Sequence, residues 1–439
     1  MATNYWKGGA TAVAQISTVQ ITAYDAATTY KVTIGGVVVS VVGSGGTPTT
    51  VATALAAALN ASTHPYFEAV TWTSATDTVT GTAATAGVPF TATSSVSGGA
   101  GTIGAVATPT ASSGPNDWST AANWSLAAVP VNTDEVVLKD SSSNICWGLA
   151  QSAVTLNSLR VDKTFTGRVG LAITQFATVS DGTTASTTAA PEYRSDYCAV
   201  GITSGGAVKI GENLSQSSAA GSTRLKFDFG TTDPVITILA TASSSADTGL
   251  PAVRFKVVHA SAKLYVRSAA GGVGVAVDAP GEVSTLSLID ITDTTTTTKV
   301  YMGPSVTLTT WRGDGGACVI GGAAATMTAC TVSGGTLRIE GDFTITTLTV
   351  NGGTVTDNHI KTGGNANTTI AHNGGTLDAT GSAAARTWSA YTPAIGSTLI
   401  ENTNVLTVTT RYGASGNRVV TTTVGTNGYQ KTLVESAVT

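Results

Sequence analysis

Four glycine pairs recur at near-regular spacing in the C-terminal half of the chain, and no other feature limits the fold as much. Gly315-Gly316, Gly334-Gly335, Gly352-Gly353 and Gly374-Gly375 follow one another at intervals of 19, 18 and 22 residues. Aligned on these pairs, the flanking positions repeat too. Three residues after the first glycine stand Cys318, Leu337, Val355 and Leu377; four before it, in the last three copies, stand Cys330, Leu348 and Ile370. Two before it come Val332, Val350 and His372. Apolar side chains at constant offsets are expected when each repeat stacks on the one below it. Within "SGGTLRIEGDFTITTLTVNGGTVTDN", Leu337, Ile339, Phe343 and Ile345 are odd-numbered and share one face of an extended chain, whereas Leu348 and Val350 are even. The inward face therefore switches at Thr346-Thr347, as it does at a corner between two flat sheets. Short strands, corners and a period near 20 predict a β-solenoid. A sandwich of hairpins would not hold these offsets in register.

Right-handedness is the default for parallel crossover connections, so the expected fold is a right-handed parallel β-helix. About 250 residues at roughly 20 per coil imply on the order of a dozen coils, a rod of roughly 60 Å at about 4.8 Å per coil. Upstream of the clear repeat, "VTLNSLRV", "AVKIGENL", "STRLKFDF", "PVITILA", "RFKVVHA", "KLYVRS" and "STLSLIDI" have the length and alternation of further strands at looser spacing. Composition agrees. Only 11% of the 439 residues are charged and 50 are glycine, which suits strands and tight turns and is unlike disorder.

The first hundred residues differ. Residues 1–28 show no sustained period and are expected to be an extended arm. "TYKVTIGGVVVSVVG" alternates and turns at Gly35-Gly36 as a hairpin. "TVATALAAALNAS" (50–62) is predicted to be a helix: Pro48 stands at its start, Thr47 or Thr49 can cap it, and Val51, Leu55 and Leu59 repeat at a four-residue spacing. Strands follow in "FEAVTWTS", "DTVTGTA" and "VPFTATSSV", and "ATPTASSGPN" reads as a linker. Trp118 and Trp124 stand just before the first solenoid strand, where a terminal cap must cover an apolar end. The expected division is an arm at 1–28, a small α+β domain with one helix at 29–107, a linker and Trp-containing cap at 108–135, the solenoid at 136–390 and a C-terminal hairpin or cap at 391–439.

Catalytic chemistry finds little support. Glycoside cleavage needs two carboxylates across a groove; Glu340, Asp342, Asp357 and Asp378 are the candidates, and Glu340 and Asp342 share an outward parity beside Arg338 that fits a solvated face better. His372 occupies a coil position filled by valines below, so it is either an inward imidazole held by a neighbouring backbone group or the point where the regular repeat ends, and this coil is where the repeat is expected to fail. His64, His259 and His359 stand alone, and the Thr294–Thr298 run fits a β-branched edge or loop. No phosphate loop, dinucleotide fingerprint, nucleophile elbow or zinc-protease motif occurs. Cys146, Cys198, Cys318 and Cys330 lack metal-ligand spacing, and the last two fall at inward positions, which predicts inert buried thiols. The expectation is a non-enzyme without cofactor or metal. A net charge of −4 without a basic block argues against nucleic acid. The opening "MATNYWKGGATAVAQ" lacks the apolar core of a signal peptide, and no later stretch has the length and apolarity of a membrane span.

The order of parts carries a resemblance. "NYWKGGATAVAQ", the small domain with "YKVTIGGVVVSV", "TALAAALNAS" and "VTGTAATAGVPFTAT", then "SSGPNDWSTAANWSLAAVPVNTDEVVL" and a glycine-paired solenoid together resemble a group of tailed-bacteriophage virion proteins. The likeness covers most of the chain and is most specific over 107–138. It implies a structural, capsid-associated role: decoration of the shell or a head spike, assembled in the host cytoplasm. The implied partners are the major capsid protein or other virion proteins and further copies of the chain, a trimer being common for such rods. Two other readings stand beside it. A tail spike or fibre binding a host surface glycan requires a groove of aromatics and carboxylates on adjacent coils; a bacterial surface adhesin requires export or wall anchoring.

Overall fold

The structure, a computed structural model, describes residues 2–171, 176–178, 184–186, 197–212, 221–242, 251–267, 273–277, 284–292, 298–303, 306–320, 326–341, 343–359, 365–380, 386–402, 406–412, 418–424 and 430–437; the strands at 176–178, 184–186, 418–424 and 430–437 are described by backbone alone. It is mainly β, with a parallel β-solenoid of about nine turns and one small N-terminal α+β region.

Each turn of the solenoid contributes strands to parallel sheets that run the length of the rod. One sheet passes from Val235–Ile238 to Lys263–Val266 and into Ser284–Thr292. A second passes from Leu225–Asp228 to Val253–Lys256, Gly274–Val277 and Lys299–Met302. The long strands Val306–Ile320 and Thr326–Gly341 bend through the glycine corners and serve both. Register puts like on like. Leu264, Ile289, Trp311, Cys330, Leu348 and Ile370 are consecutive partners and all are buried. Each fully buried aliphatic of this kind contributes about 1.5–3 kcal/mol, so the rod is stable with few ion pairs. The parity switch is where the sequence places it: Ile345 is buried, Thr346 exposed, and Leu348 and Val350 buried again.

The coil number is lower than the repeat length suggests. Upstream turns are longer, with Leu225 beside Val253 and Val235 beside Lys263, so fewer turns consume the same chain. The repeat also continues beyond His372. Asn365–His372 pairs with Arg386–Pro393, and that strand with Leu406–Arg411; Gly375–Ala379 pairs with Ser397–Asn402. Parallel stacking thus extends past 390 to Arg411. At the far end Gln430–Ala437 lies antiparallel to both Ser397–Asn402 and Arg418–Val424, a hairpin that closes the edge of one sheet.

The N-terminal segment is not an arm. Thr3–Tyr5 pairs in parallel with Glu135–Leu138 and begins the solenoid. Ile16–Ala23 is a central strand of the small domain, bonded antiparallel to Thr78–Ala83, Thr102–Ile103 and Ala107–Thr110. Its period is masked because polar side chains face inward where it begins: Gln15, just before the strand, donates through Nε2 to Ser17 Oγ (2.9 Å) and to the Phe90 carbonyl (2.6 Å). Ala107–Thr110, expected as linker, is therefore also strand, with Pro109 on a sheet edge. A second sheet places Thr29–Ile34 between Val37–Val42 and Ala92–Ser97. The helix Pro48–Ala61 is capped by the Thr47 hydroxyl and buries Val51, Leu55 and Leu59; a single further turn spans Pro65–Glu68.

The small domain is consequently an insertion. Val13 bridges Ser113, with Val13 N donating to Ser113 O at 2.7 Å, so the chain leaves and re-enters the solenoid end at one neck.

Candidate functional site

Three places stand out, two built from residues the sequence singles out and one from residues it does not. The first is the neck and cap. Trp118 and Trp124 are fully buried in the solenoid core and meet edge to face at 4.7 Å, with Trp124 Nε1 donating to the Trp118 carbonyl at 2.7 Å. Trp6, in the segment expected to be an extended arm, joins them at 5.0 Å from Trp124 and donates to Ser143 O. Asn123, also missed, is the clamp. Its Oδ1 accepts from Ala10 N (2.9 Å), its Nδ2 donates to Gly114 O (2.7 Å) and Asp117 O (2.8 Å), and its own carbonyl accepts from Lys7 and Gly8. One buried amide thereby holds both strands of the neck.

The second is the glycine column. Gly335, Gly353 and Gly375 have φ of +68°, +71° and +74°, a region open mainly to glycine. They also stack: a Cβ on Gly353 would lie 2.5 Å from Gly335 O, and one on Gly375 2.5 Å from Gly353 O. Their partners Gly334, Gly352 and Gly374 face Asp314 Oδ1, Ser333 O and Asn351 O at 2.9, 2.6 and 2.8 Å in the same sense. Leu337, Val355 and Leu377 follow as consecutive buried partners.

His372 takes the inward alternative. It is buried between Val350 and Pro393, its Nε2 lies 3.2 Å from Gly375 O and its Nδ1 2.9 Å from the Tyr391 hydroxyl. A carbonyl only accepts, so Nε2 carries the proton and Nδ1 accepts from Tyr391. Burial holds the imidazole below its ordinary pKa of 6.5. A depressed folded-state pKa means the unfolded chain binds the proton first, so this contribution is intact above about pH 6.5 and is lost as pH falls below it. Unfolding free energies from denaturant titrations between pH 5 and 8 should be flat above neutrality and decline below about 6.5, by up to ~1.4 kcal/mol per pH unit for one proton. His64, likewise lowered by burial, adds to that slope; His372→Gln should leave only the His64 part.

The carboxylates do not converge. Glu340 pairs outward with Arg338 at 2.6 Å, and Asp378 accepts from Thr380 N (2.9 Å) and Oγ1 (2.6 Å). Asp342 lies outside the described residues, as do Thr294–Thr297 and the His359 side chain. Asp357 is turned into the core, where its Oδ2 accepts from Asn367 Nδ2 (3.0 Å) and Trp388 Nε1 (2.9 Å) and lies 3.8 Å from Arg386 Nε. His259 Nδ1 accepts from Ser261 N and His64 Nδ1 from Tyr66 N, both local turn contacts. The four cysteines are buried and unbridged, and burial pushes the Cys198 and Cys330 thiols far up. Among the described residues, no three His, Cys, Asp or Glu side chains gather in a metal-like group, and no helix is long and apolar enough to cross a membrane.

The third place is a cleft of about 390 Å³ between Pro89 of the inserted domain and the first coils. Trp147, Leu149, Tyr197, Asp228 and Lys256 line it. Ala150, Ala199, Asp228 and Lys256 are successive partners in register, so its wall is a ladder of adjacent rungs. Lys256 Nζ lies 3.3 Å from Asp228 Oδ2 and 4.7 Å above the Tyr197 ring. No short motif encodes this group, because its members are dispersed from 147 to 256 and meet only through coil stacking.

No known protein-family profile matches the chain, and no curated protein sequence matches it.

Proposed function

We propose that the chain is a non-enzymatic structural protein of a tailed-bacteriophage virion, a capsid decoration or head-spike protein. The inserted domain docks on the shell and the solenoid projects from it. The carrying observation is the neck: a compact module enters and leaves one end of a stiff rod through adjacent strands, Val13 beside Ser113. Such a mount lets the module seat on a partner while the coil stack stays intact. The side chains of the clear repeat support the same reading, since Glu340, Asp357 and Asp378 are engaged in an outward ion pair, a core network and a turn. The proposed partners are the major capsid protein or other virion proteins and further copies of the chain, three around a common axis being the expected number. Neither nucleic acid nor membrane is part of the proposal.

Copy number in purified particles of a phage encoding the chain tests it. Hundreds of copies per particle are expected. About a dozen or fewer would move the protein to the tail, as a spike or fibre binding a host surface glycan, the reading that the cleft at Trp147 favours; absence from particles would overturn both. Replacing residues 13–113 by a short Gly-Ser linker, which spares Thr3–Tyr5, Trp6 and the Trp cap, should leave a folded solenoid that no longer joins particles. If that variant still attaches, the docking assignment is wrong.

A further inference from the structure

We infer that the cleft walled by Trp147, Asp228 and Lys256 is a binding site for a neutral saccharide unit of one or two rings. This goes beyond the structural role proposed above and does not depend on it.

Trp147 is half-buried, packed against the solenoid core and in contact with the cleft. Its neighbouring peptide is held on both sides: Trp147 N donates to Asn116 O and its carbonyl accepts from Trp118 N. The next residue is equally fixed. Gly148 has a φ of +64°, a Cβ there would lie 2.2 Å from Asp117 Oδ1, and its carbonyl accepts from Gln151 Nε2 at 2.7 Å. An apolar ring carried on a fixed backbone and packed against the core has less freedom to lose when a second flat, C–H-rich surface is laid on it. Sugar rings present such a face.

The polar half suits hydroxyl groups. Asp228 offers acceptor oxygens and Lys256 donor protons, side by side at 3.3 Å on neighbouring rungs. Vicinal hydroxyls, each both donor and acceptor, match such a pair. Lys256 is positioned twice, by the carboxylate and by the Tyr197 ring. On the described lining Asp228 and Lys256 are opposite charges and paired, with Arg254 standing 5.8 Å from the Tyr197 ring, and this pairing selects against the alternatives. A phosphate would meet Asp228 beside the cation it needs. A divalent cation would find one carboxylate and an ammonium. A volume of about 390 Å³ is at the small end of ligand pockets, which run from roughly 300 to 1,000 Å³. Asp228 is the one carboxylate among the lining residues, whereas glycoside hydrolysis needs two, so the inference is of binding alone.

Saturation-transfer NMR and calorimetric titration of the full chain with lactose, maltose, cellobiose and N,N′-diacetylchitobiose, followed by an array of neutral glycans, test the site. At least one saccharide should bind. Binding should vanish in Trp147→Ala, persist in Trp147→Phe, and weaken tenfold or more in Asp228→Asn. Tyr412→Ala, which removes an exposed aromatic on the last coil, should bind as the parent does. Silence across the disaccharides and the array would overturn the inference, and so would binding that survives Trp147→Ala. Either failure leaves the copy-number test of the virion role untouched.

Discussion

Gly353→Ala is expected to destabilise the solenoid by more than about 3 kcal/mol, far beyond an ordinary glycine substitution. Two separate effects combine. At φ +71° an alanine is strained by about 1–2 kcal/mol. Its Cβ would also lie 2.5 Å from Gly335 O and 2.7 Å from Gly334 C. Those are backbone atoms of the coil below and cannot rotate aside, so the coils must part locally and weaken their parallel hydrogen bonds. Gly396 is the internal control. It turns the corner two coils further on at φ +87°, and a Cβ there meets nothing within 4 Å. Gly396→Ala should therefore show the conformational cost alone. Guanidinium denaturation of both variants measures the difference, and equal losses would refute the stacked-glycine account.

Asp357→Leu should destabilise by about 3–5 kcal/mol, because it strands a buried guanidinium. The Asp357 and Arg386 side chains are both fully buried. Asp357 also accepts from Asn367 and Trp388, while Arg386 donates to the Ala379 carbonyl. Removing the carboxylate leaves these donors facing an apolar group. The double variant Asp357→Leu/Arg386→Met removes both charges and should regain at least half the loss, since well-packed apolar pairs often match buried ion pairs. A double-mutant cycle by chemical denaturation reads this directly. Losses that simply add would show that the two side chains do not act as a pair.

Asp357 also shows how far parity can be trusted. It follows Val355 by two residues and stacks on Ile339, an inward position. The same alternation that located Leu337 and Ile339 therefore already pointed it inward, although acidic chemistry suggested a groove. His372 shows the reverse. Its inward position was legible, but the Tyr391 hydroxyl that satisfies Nδ1 lies on the next coil, beyond the repeat that could be aligned. With that partner the repeat passes through His372 and continues to Arg411. The strand Ile16–Ala23 was hidden for a related reason: Gln15 and Ser17 are buried polar residues where it begins, satisfied because Gln15 bonds to Ser17 and to the distant backbone of Phe90.

Local physics thus determined the elements from the sequence alone: the glycine corners from their regular spacing, the inward columns from period two, and the helix from a threonine cap at 47 or 49 and its spaced Val51, Leu55 and Leu59. Only the tertiary structure decided which elements belong together. Thr3–Tyr5 joins Glu135–Leu138, the intervening domain becomes an insertion clamped by Asn123, and Trp147, Tyr197, Asp228 and Lys256 meet across one cleft. The reason is that period and turn chemistry act over a few residues, whereas rung stacking aligns residues a whole coil apart, and the lengths of the intervening loops carry no hydrophobic signal that fixes the register.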